Sequence, residues 1–181
     1  PMVKHGEHAT YHLIKAVELA QMPAHSILIN SSRGAVVAES DLLADIQRTD
    51  RRVVLDVFEH EPRISAELLD ALALVTPHIA GYSLEGKARG TEMIYQAFCR
   101  WQAITPVHTL AEVMPAAPCW FDQRPLTVQL AELLPQLYDI RRDDAALRAC
   151  VLDGWVDAAS FDQLRRDYPL RREWAAYGDQ V

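Results

Sequence analysis

A chain of 181 residues has room for one ordinary domain, or for one domain with a small appendage. Half of its residues are hydrophobic and 24% are charged, which is the make-up of a globular chain, and no apolar run approaches the roughly 18 residues of a membrane span. A formal net charge of −7 leaves no basic surplus to neutralise phosphates, which argues against nucleic acid or an anionic membrane as a partner but not against a small anion.

The opening PMVKHGEHAT lacks periodicity, and its His5, Glu7 and His8 read as solvated loop groups rather than metal ligands. From Thr10, a candidate cap, Leu13, Val17 and Ala20 fall on one helical face, and Pro23 stops the run. SILIN (26–30) is a short apolar run rich in β-branched residues, followed at once by SSRGAVV. Ser40 then caps a short helix carrying Leu42, Leu43 and Ile46. VVLDVF (53–58) reads as a second buried strand ended by charge and Pro62, a short helix follows around Glu67 to Leu72, and LALVT (72–76) is a third apolar run ended by Pro77. From Ser83 to about Ile104 the spacing predicts a long helix with Met93, Ile94, Ala97, Phe98 and Trp101 on its apolar side.

Strand, helix, strand, helix, strand at this spacing is the pattern of parallel βαβ units in an open, doubly wound sheet. Three strands make half of such a sheet, and parallel strands are normally buried on both faces, so the sequence looks cut at its beginning. The character changes near Thr105. Residues 105 to 125 hold Pro106, Pro115, Pro118 and Pro125, the mark of a linker or wrapped connection. Beyond them Leu130, Leu133, Leu134 and Leu137 make an amphipathic helix that Thr127 can cap, followed by the charged RRDDAALRAC and a short helix in SFDQLRRDY. The fold expected is α/β: the C-terminal half of a Rossmann-type doubly wound parallel sheet with its exit helix over residues 1–104, then a small α+β domain over 105–181. Cys99, Cys119 and Cys150 are odd in number and form no CxxC pair. They read as reduced thiols of a cytoplasmic protein, and the first residues are not a signal peptide.

In open α/β sheets ligands sit beyond the carboxyl ends of the strands. That rule selects Ser31, Ser32, Arg33 and Gly34 after the first strand, Glu59, His60 and Glu61 after the second with Asp56 inside it, and His78, Gly81 and Tyr82 after the third. An Arg, an acid and a His at one rim suit a 2-hydroxy acid. A guanidinium is a planar fork for its carboxylate. Removal of hydride from C2 requires a base for the hydroxyl proton, and a neighbouring carboxylate fixes the tautomer of a histidine doing that work. Arg33, Glu61 and His78 fit these roles. Taken singly, each also reads as a turn residue, loop punctuation or a strand-end cap.

ILINSSRGAVV, VVLDVFEHEP and TPHIAGYSLEGKARGT resemble three consecutive signatures of the D-isomer-specific 2-hydroxyacid dehydrogenases, over residues 1 to about 103. HIAGYSLEGKARGT and HGEHATYHL, with RRDDAALR and FDQLRRDYPLRREW, are similar to one branch of that family, which acts on a phosphorylated 2-hydroxy acid and carries an extra C-terminal dimerisation domain. The resemblance implies a homodimer through residues 105–181, NAD as cofactor and a small phosphorylated 2-hydroxy acid as substrate. It implies Arg33, Glu61 and His78 as catalytic groups, with Ser31, Ser32, Arg33, Asp56 and Gly81 at the cofactor and Tyr82 at the substrate. Lys87 and Arg89 lie one turn into the next helix, within reach of a phosphate or simply on a solvated face.

The departures are as informative. No GxGxxG occurs; Gly81, Gly86 and Gly90 have the wrong spacing and open no phosphate loop. The acid that would hold an adenosine ribose and the family's N-terminal substrate lobe are missing as well. Three alternatives remain: a dehydrogenase acting on 3-phosphoglycerate or glyoxylate, a regulatory relative without turnover, and a piece that only dimerises.

Overall fold

The three apolar runs form a parallel sheet of order β1-β2-β3, with β1 at Leu28–Asn30, β2 at Val53–Leu55 and β3 at Leu74–Val75. This computed structural model describes residues 2–116, 135, 138–173 and 176. Its residues fall into two compact units, Pro1–Ala80 with Ile140–Asp167 and Gly81–Asp139 with Tyr168–Val181. The first unit thus takes in a stretch from beyond residue 105 as well as residues 1–80. Leu147, Val156 and Phe161 are buried in the same core as Val53, Leu68 and Val75, and they draw the 140–167 segment into the first unit.

In that unit α1 spans Ala16–Gln21 with Lys15 at its N-cap, five residues later than the Thr10 cap read from sequence. Glu18 accepts the Lys15 N–H at 3.0 Å and fixes the true N-terminus, while Thr10 Oγ1 closes the opening loop by accepting the Val3 N–H at 2.9 Å. Leu13 and Val17, expected on the inner face, are exposed, and Leu19 is the buried residue. A 3-10 turn at Gly34–Val36 leads into α2 (Glu39–Thr49), whose N-cap is Ala38, so Ser40 lies inside the first turn instead of capping it. Leu42 and Ile46 are buried as expected. Arg51 follows α2 and is itself buried. Its guanidinium pairs with Asp45 at 2.7 Å and donates to the carbonyls of Leu19 and Pro23 and to Ser26 Oγ, tying off the end of α1. The helix α3 (Ala66–Ala71) is capped by Ser65, whose Oγ accepts the Leu68 N–H.

The chain returns to this unit as α6 (Ile140–Arg148), a β4–β5 hairpin (Val151–Leu152 and Trp155–Val156) and α7 (Ala158–Arg166). The hairpin escapes a reading built on hydrophobic periodicity because its strands have two residues each. Its signal is Asp153-Gly154, which turns with φ of 50° and 82°. The RRDDAALR segment is helical and closes the outer edge of the sheet: Asp144 Oδ1 accepts the Val75 N–H at 2.9 Å, and Arg148 donates to the carbonyls of Leu69 and Leu72.

The second unit holds α4 (Leu84–Gln102), capped by Ser83 accepting the Gly86 N–H, and α5 (Leu110–Val113). Glu85 is buried against Arg172, whose Nε lies 2.5 Å from Oε1. The expected apolar side of α4 is exposed at Met93, Ile94, Phe98 and Trp101, and the buried residues of this helix are Glu85 and Cys99. Thr127 and the Leu130, Leu133, Leu134 and Leu137 face lie outside the described residues. No helix among the described residues is long and apolar enough to cross a membrane.

Candidate active site at the carboxyl end of the sheet

Each strand of the parallel sheet ends in a loop that carries one of the expected groups. After β1 the buried Asn30 side chain makes the turn: its Oδ1 accepts from Ser32 N–H at 3.1 Å and Ser32 Oγ at 2.8 Å, and its Nδ2 donates to Arg33 O at 3.0 Å. Ser31, Ser32 and Arg33 are thereby exposed on a braced loop, and the Arg33 guanidinium folds back to donate to Ser32 O at 2.6 Å.

After β2, Glu61 is oriented from its own loop, because Oε1 accepts the Phe58 N–H at 2.7 Å. Its other oxygen, Oε2, lies 2.8 Å from His78 Nδ1, with both side chains partly exposed at 30% for His78 and 20% for Glu61. The expected acid–histidine pair is therefore formed. With Nδ1–H given to the carboxylate, Nε2 is left as a proton acceptor on a partly exposed ring. Among the described residues Arg33 hydrogen-bonds locally, to Ser32 O, and to neither member of the pair.

The histidine is held in an uncommon backbone state, φ 56°, in the left-handed region. Such a residue costs about 1 to 2 kcal/mol and needs the surroundings to impose it. Asp56 does so. Its Oδ1 accepts from Thr76 Oγ1 at 2.6 Å, Ile79 N–H at 2.8 Å and Ala80 N–H at 3.1 Å, and its Oδ2 takes Ala80 N–H at 3.1 Å. His78 N–H closes a three-residue turn onto Thr76 O at 3.0 Å. Asp56, named from sequence as a cofactor contact, is thus also the anchor of the loop that presents His78.

A second cluster was not legible as functional. His12, itself at φ 50°, places Nε2 2.6 Å from Glu59 Oε1, and Tyr11 stacks on its ring and donates to the same oxygen at 3.3 Å. Glu59 Oε2 accepts the Glu39 N–H, and His12 N–H donates to Ala35 O. The cluster therefore staples the Arg33 loop to the Glu61 loop. Burial pushes the Glu39 carboxyl up, against the opposing pull of the Glu59 N–H and the charge of His60. Burial would also raise Glu59, but the His12 hydrogen bond, the Glu39 N–H and the imidazole charges outweigh it and hold Glu59 below the usual carboxylate range. A depressed carboxyl contributes stability that is present above its unfolded pKa and is lost as pH falls through the folded one. Glu59→Gln should therefore flatten the acid limb of stability, read as melting temperature between about pH 3 and pH 7. An acid limb unchanged in the variant would remove Glu59 from that role.

Gly81 and Tyr82 belong to the second unit. There the Tyr82 ring meets Tyr168 edge-on at 5.9 Å between centroids, and Lys87 Nζ stands 4.3 Å from its centroid. Arg89 pairs loosely with Glu173 at 3.6 Å.

Residues 4–80 match the family described as D-isomer specific 2-hydroxyacid dehydrogenase, NAD binding domain, and residues 116–178 match one described as a domain of unknown function, DUF3410. The chain is 56% identical to an erythronate-4-phosphate dehydrogenase of Acinetobacter baumannii over 178 residues, which cover 98% of this chain and 50% of that protein. It is 55% identical to the enzyme of the same name from Acinetobacter baylyi over 181 residues, covering 100% of this chain and 51% of that one. A solved structure of Rhodotorula graminis D-mandelate dehydrogenase is 32% identical, covers 47% of this chain and 25% of its own, and superposes with a TM-score of 0.41. The chain spans about half the length of the curated relatives it matches.

Proposed function

The chain belongs to the D-isomer specific 2-hydroxyacid dehydrogenase family, and from that premise we propose that it is the catalytic half of an enzyme oxidising 4-phospho-D-erythronate to its 2-oxo acid, a step of pyridoxal phosphate biosynthesis. The observation that carries the reading is the His78–Glu61 pair, 2.8 Å apart at the rim of a parallel sheet, with the outer imidazole nitrogen free to act. In this reading His78 Nε2 takes the proton of the C2 hydroxyl. Glu61, fixed by the Phe58 N–H, steadies the imidazolium that results. Arg33 swings from Ser32 O to the substrate carboxylate, which its guanidinium holds as a fork.

NAD, when bound, accepts the hydride from C2. The residues present suit its nicotinamide end. Among the described residues Asp56 Oδ2 has only the Ala80 N–H, so it retains capacity for a carboxamide N–H, and Ser31 and Ser32 are exposed on the loop after β1. For the pyrophosphate the chain brings no glycine-rich turn. The same reading gives residues 105–181 to homodimerisation and places the protein in the cytoplasm, where the free Cys99 and Cys150 stay reduced.

The test fuses residues 1–181 behind the preceding half of the Acinetobacter baylyi relative. Expected are a dimer by light scattering and NAD-dependent oxidation of 4-phospho-D-erythronate, with 3-phosphoglycerate and glycolate poorly used. The 181-residue chain alone should show no saturable change in NADH fluorescence. A fusion that prefers another D-2-hydroxy acid would replace the substrate, and tight NADH binding by the chain alone would overturn the assignment of half a site.

A further inference from the structure

The acid of the pair stands in a loop that a much later part of the chain takes hold of. Glu61 occupies a corner of the turn His60–Arg63, which the Arg63 N–H closes onto His60 O at 2.8 Å, and its side chain is set by the Phe58 N–H. The residues that follow are paired with the β4–β5 hairpin. Val156 N–H donates to Ile64 O at 2.8 Å and Ala66 N–H to Gly154 O at 2.9 Å, on either side of an antiparallel bridge between Ser65 and Trp155. Ile64 and Val156 are buried in the same core cluster. Trp155 stays 43% exposed, and the Arg63 guanidinium lies over its ring, 4.5 Å from the centroid. The histidine is approached from the same stretch. Asp144 of α6 takes the N–H of Val75, three residues before His78, and Arg148 bonds the carbonyls of Leu69 and Leu72 at the end of α3. The segment that runs from the acid to the histidine is thus held near both its ends by residues 140–157.

We propose that the β4–β5 hairpin is a brace for the catalytic acid, with Trp155 a positioning residue that holds Glu61 against His78 through Arg63. The inference rests on the proposed function, in which Glu61 steadies the His78 imidazolium. It gives the stretch matched to a domain of unknown function a task besides the proposed dimerisation. Two observations put the effect on Glu61 as well as on the core. Covering the core asks only for the side chain of Val156, which is buried. Trp155 and the two backbone bonds are spent instead on Arg63 to Ala66, the leg of chain that leaves Glu61. The tolerance at the pair is also small. Its bond is 2.8 Å long, and a displacement of about 1 Å takes a donor out of hydrogen-bonding range. Once the turn can move, Glu61 drifts from Nδ1, and nothing obliges the ring to keep its proton on that nitrogen.

The test has two readouts, one of them independent of any substrate. In the 181-residue chain, nitrogen-15 NMR at mildly alkaline pH should show the His78 imidazole as the Nδ1–H tautomer. Trp155→Ala should raise the share of the Nε2–H tautomer severalfold, whereas Trp155→Phe, which keeps a ring face for Arg63, should match the parent. Arg63→Gln, on the other side of the contact, should reproduce the alanine result. In the fused enzyme Trp155→Ala should lower kcat about tenfold with KM within about twofold, and Trp155→Phe should restore it. The loss should vanish in a Glu61→Gln background, since a residue that acts only through Glu61 then has nothing left to position. Light scattering should give the parent's mass for every variant. A tautomer unchanged in both Trp155→Ala and Arg63→Gln would overturn the proposal. So would full activity of Trp155→Ala, a loss that persists on top of Glu61→Gln, a phenylalanine that restores nothing, or a change of mass. A fusion that oxidises no D-2-hydroxy acid would sink the functional reading, and the tautomer in the 181-residue chain would still decide the brace.

Discussion

His78→Ala in the fused enzyme should lower turnover of 4-phospho-D-erythronate by about 10²- to 10⁴-fold, the range for loss of a positioned general base, with NADH binding nearly unchanged. The expectation rests on geometry. Glu61 fixes Nδ1 of a ring that stays partly exposed, on a backbone held at φ 56° by the Thr76–Ala80 loop. Alanine also gives up the hydrogen bond to Glu61, so some stability is lost along with the base. His78→Asn separates the two effects. Asparagine tolerates the left-handed region and can still donate to Glu61, but it has no nitrogen that accepts a proton. It should melt with the parent and be as inactive as the alanine variant. Wild-type-like turnover in either variant would remove His78 from the proton transfer.

The sheet was legible because its strands are short, branched and separated by helical periodicity, so SILIN, VVLDVF and LALVT announce β1, β2 and β3. Their exact lengths were not. VVLDVF is regular strand only as far as Leu55, and the next residue, Asp56, gives its carboxylate to the loop after β3. The start of α1 was misplaced because Thr10 has the side chain of a cap but spends it on Val3 N–H, and Glu18 does the capping work from inside the helix. The place of residues 140–167 could not be read from composition. RRDDAALR is charged, yet Asp144 and Arg148 are used on backbone groups of β3 and α3, and the chain positions they meet lie 69 and 79 residues upstream.

The acid–histidine pair was legible because the rule that ligands gather at strand carboxyl ends leaves few titratable groups to choose from. What holds that pair in place was not. Asn30 and Asp56 act through bonds to backbone N–H groups that only the folded loops bring within reach. The His12–Glu59 staple joins residues 47 apart in sequence, and nothing in the spacing of HATYHL hints at it. A polar residue at the end of a strand followed by serine is the one local hint available, since that is the chemistry of an Asx turn, and it points to Asn30.

Gly34→Ala should destabilise the chain by about 3 kcal/mol, the upper end of overpacking costs, and lower its melting temperature by roughly 6 to 12 °C. A Cβ at position 34 would lie 1.9 Å from the Phe58 carbonyl carbon, 2.0 Å from its oxygen and 2.5 Å from Glu59 N. These are backbone atoms, so no rotamer change relieves the overlap and one loop must move bodily away from the other. Both loops carry the site: Arg33 immediately precedes the glycine, while Phe58 N–H orients Glu61 and Glu59 is stapled to His12. The substitution should therefore cost the fused enzyme its turnover even at temperatures where the protein remains folded. Gly90→Ala is the internal control. It sits inside α4 with nothing within 4 Å of the added Cβ, so the helix should gain up to about 1 kcal/mol. If Gly34→Ala melted and turned over like the parent, the close approach of the Arg33 loop to the Phe58 backbone would not be what assembles Arg33 with the Glu61–His78 pair.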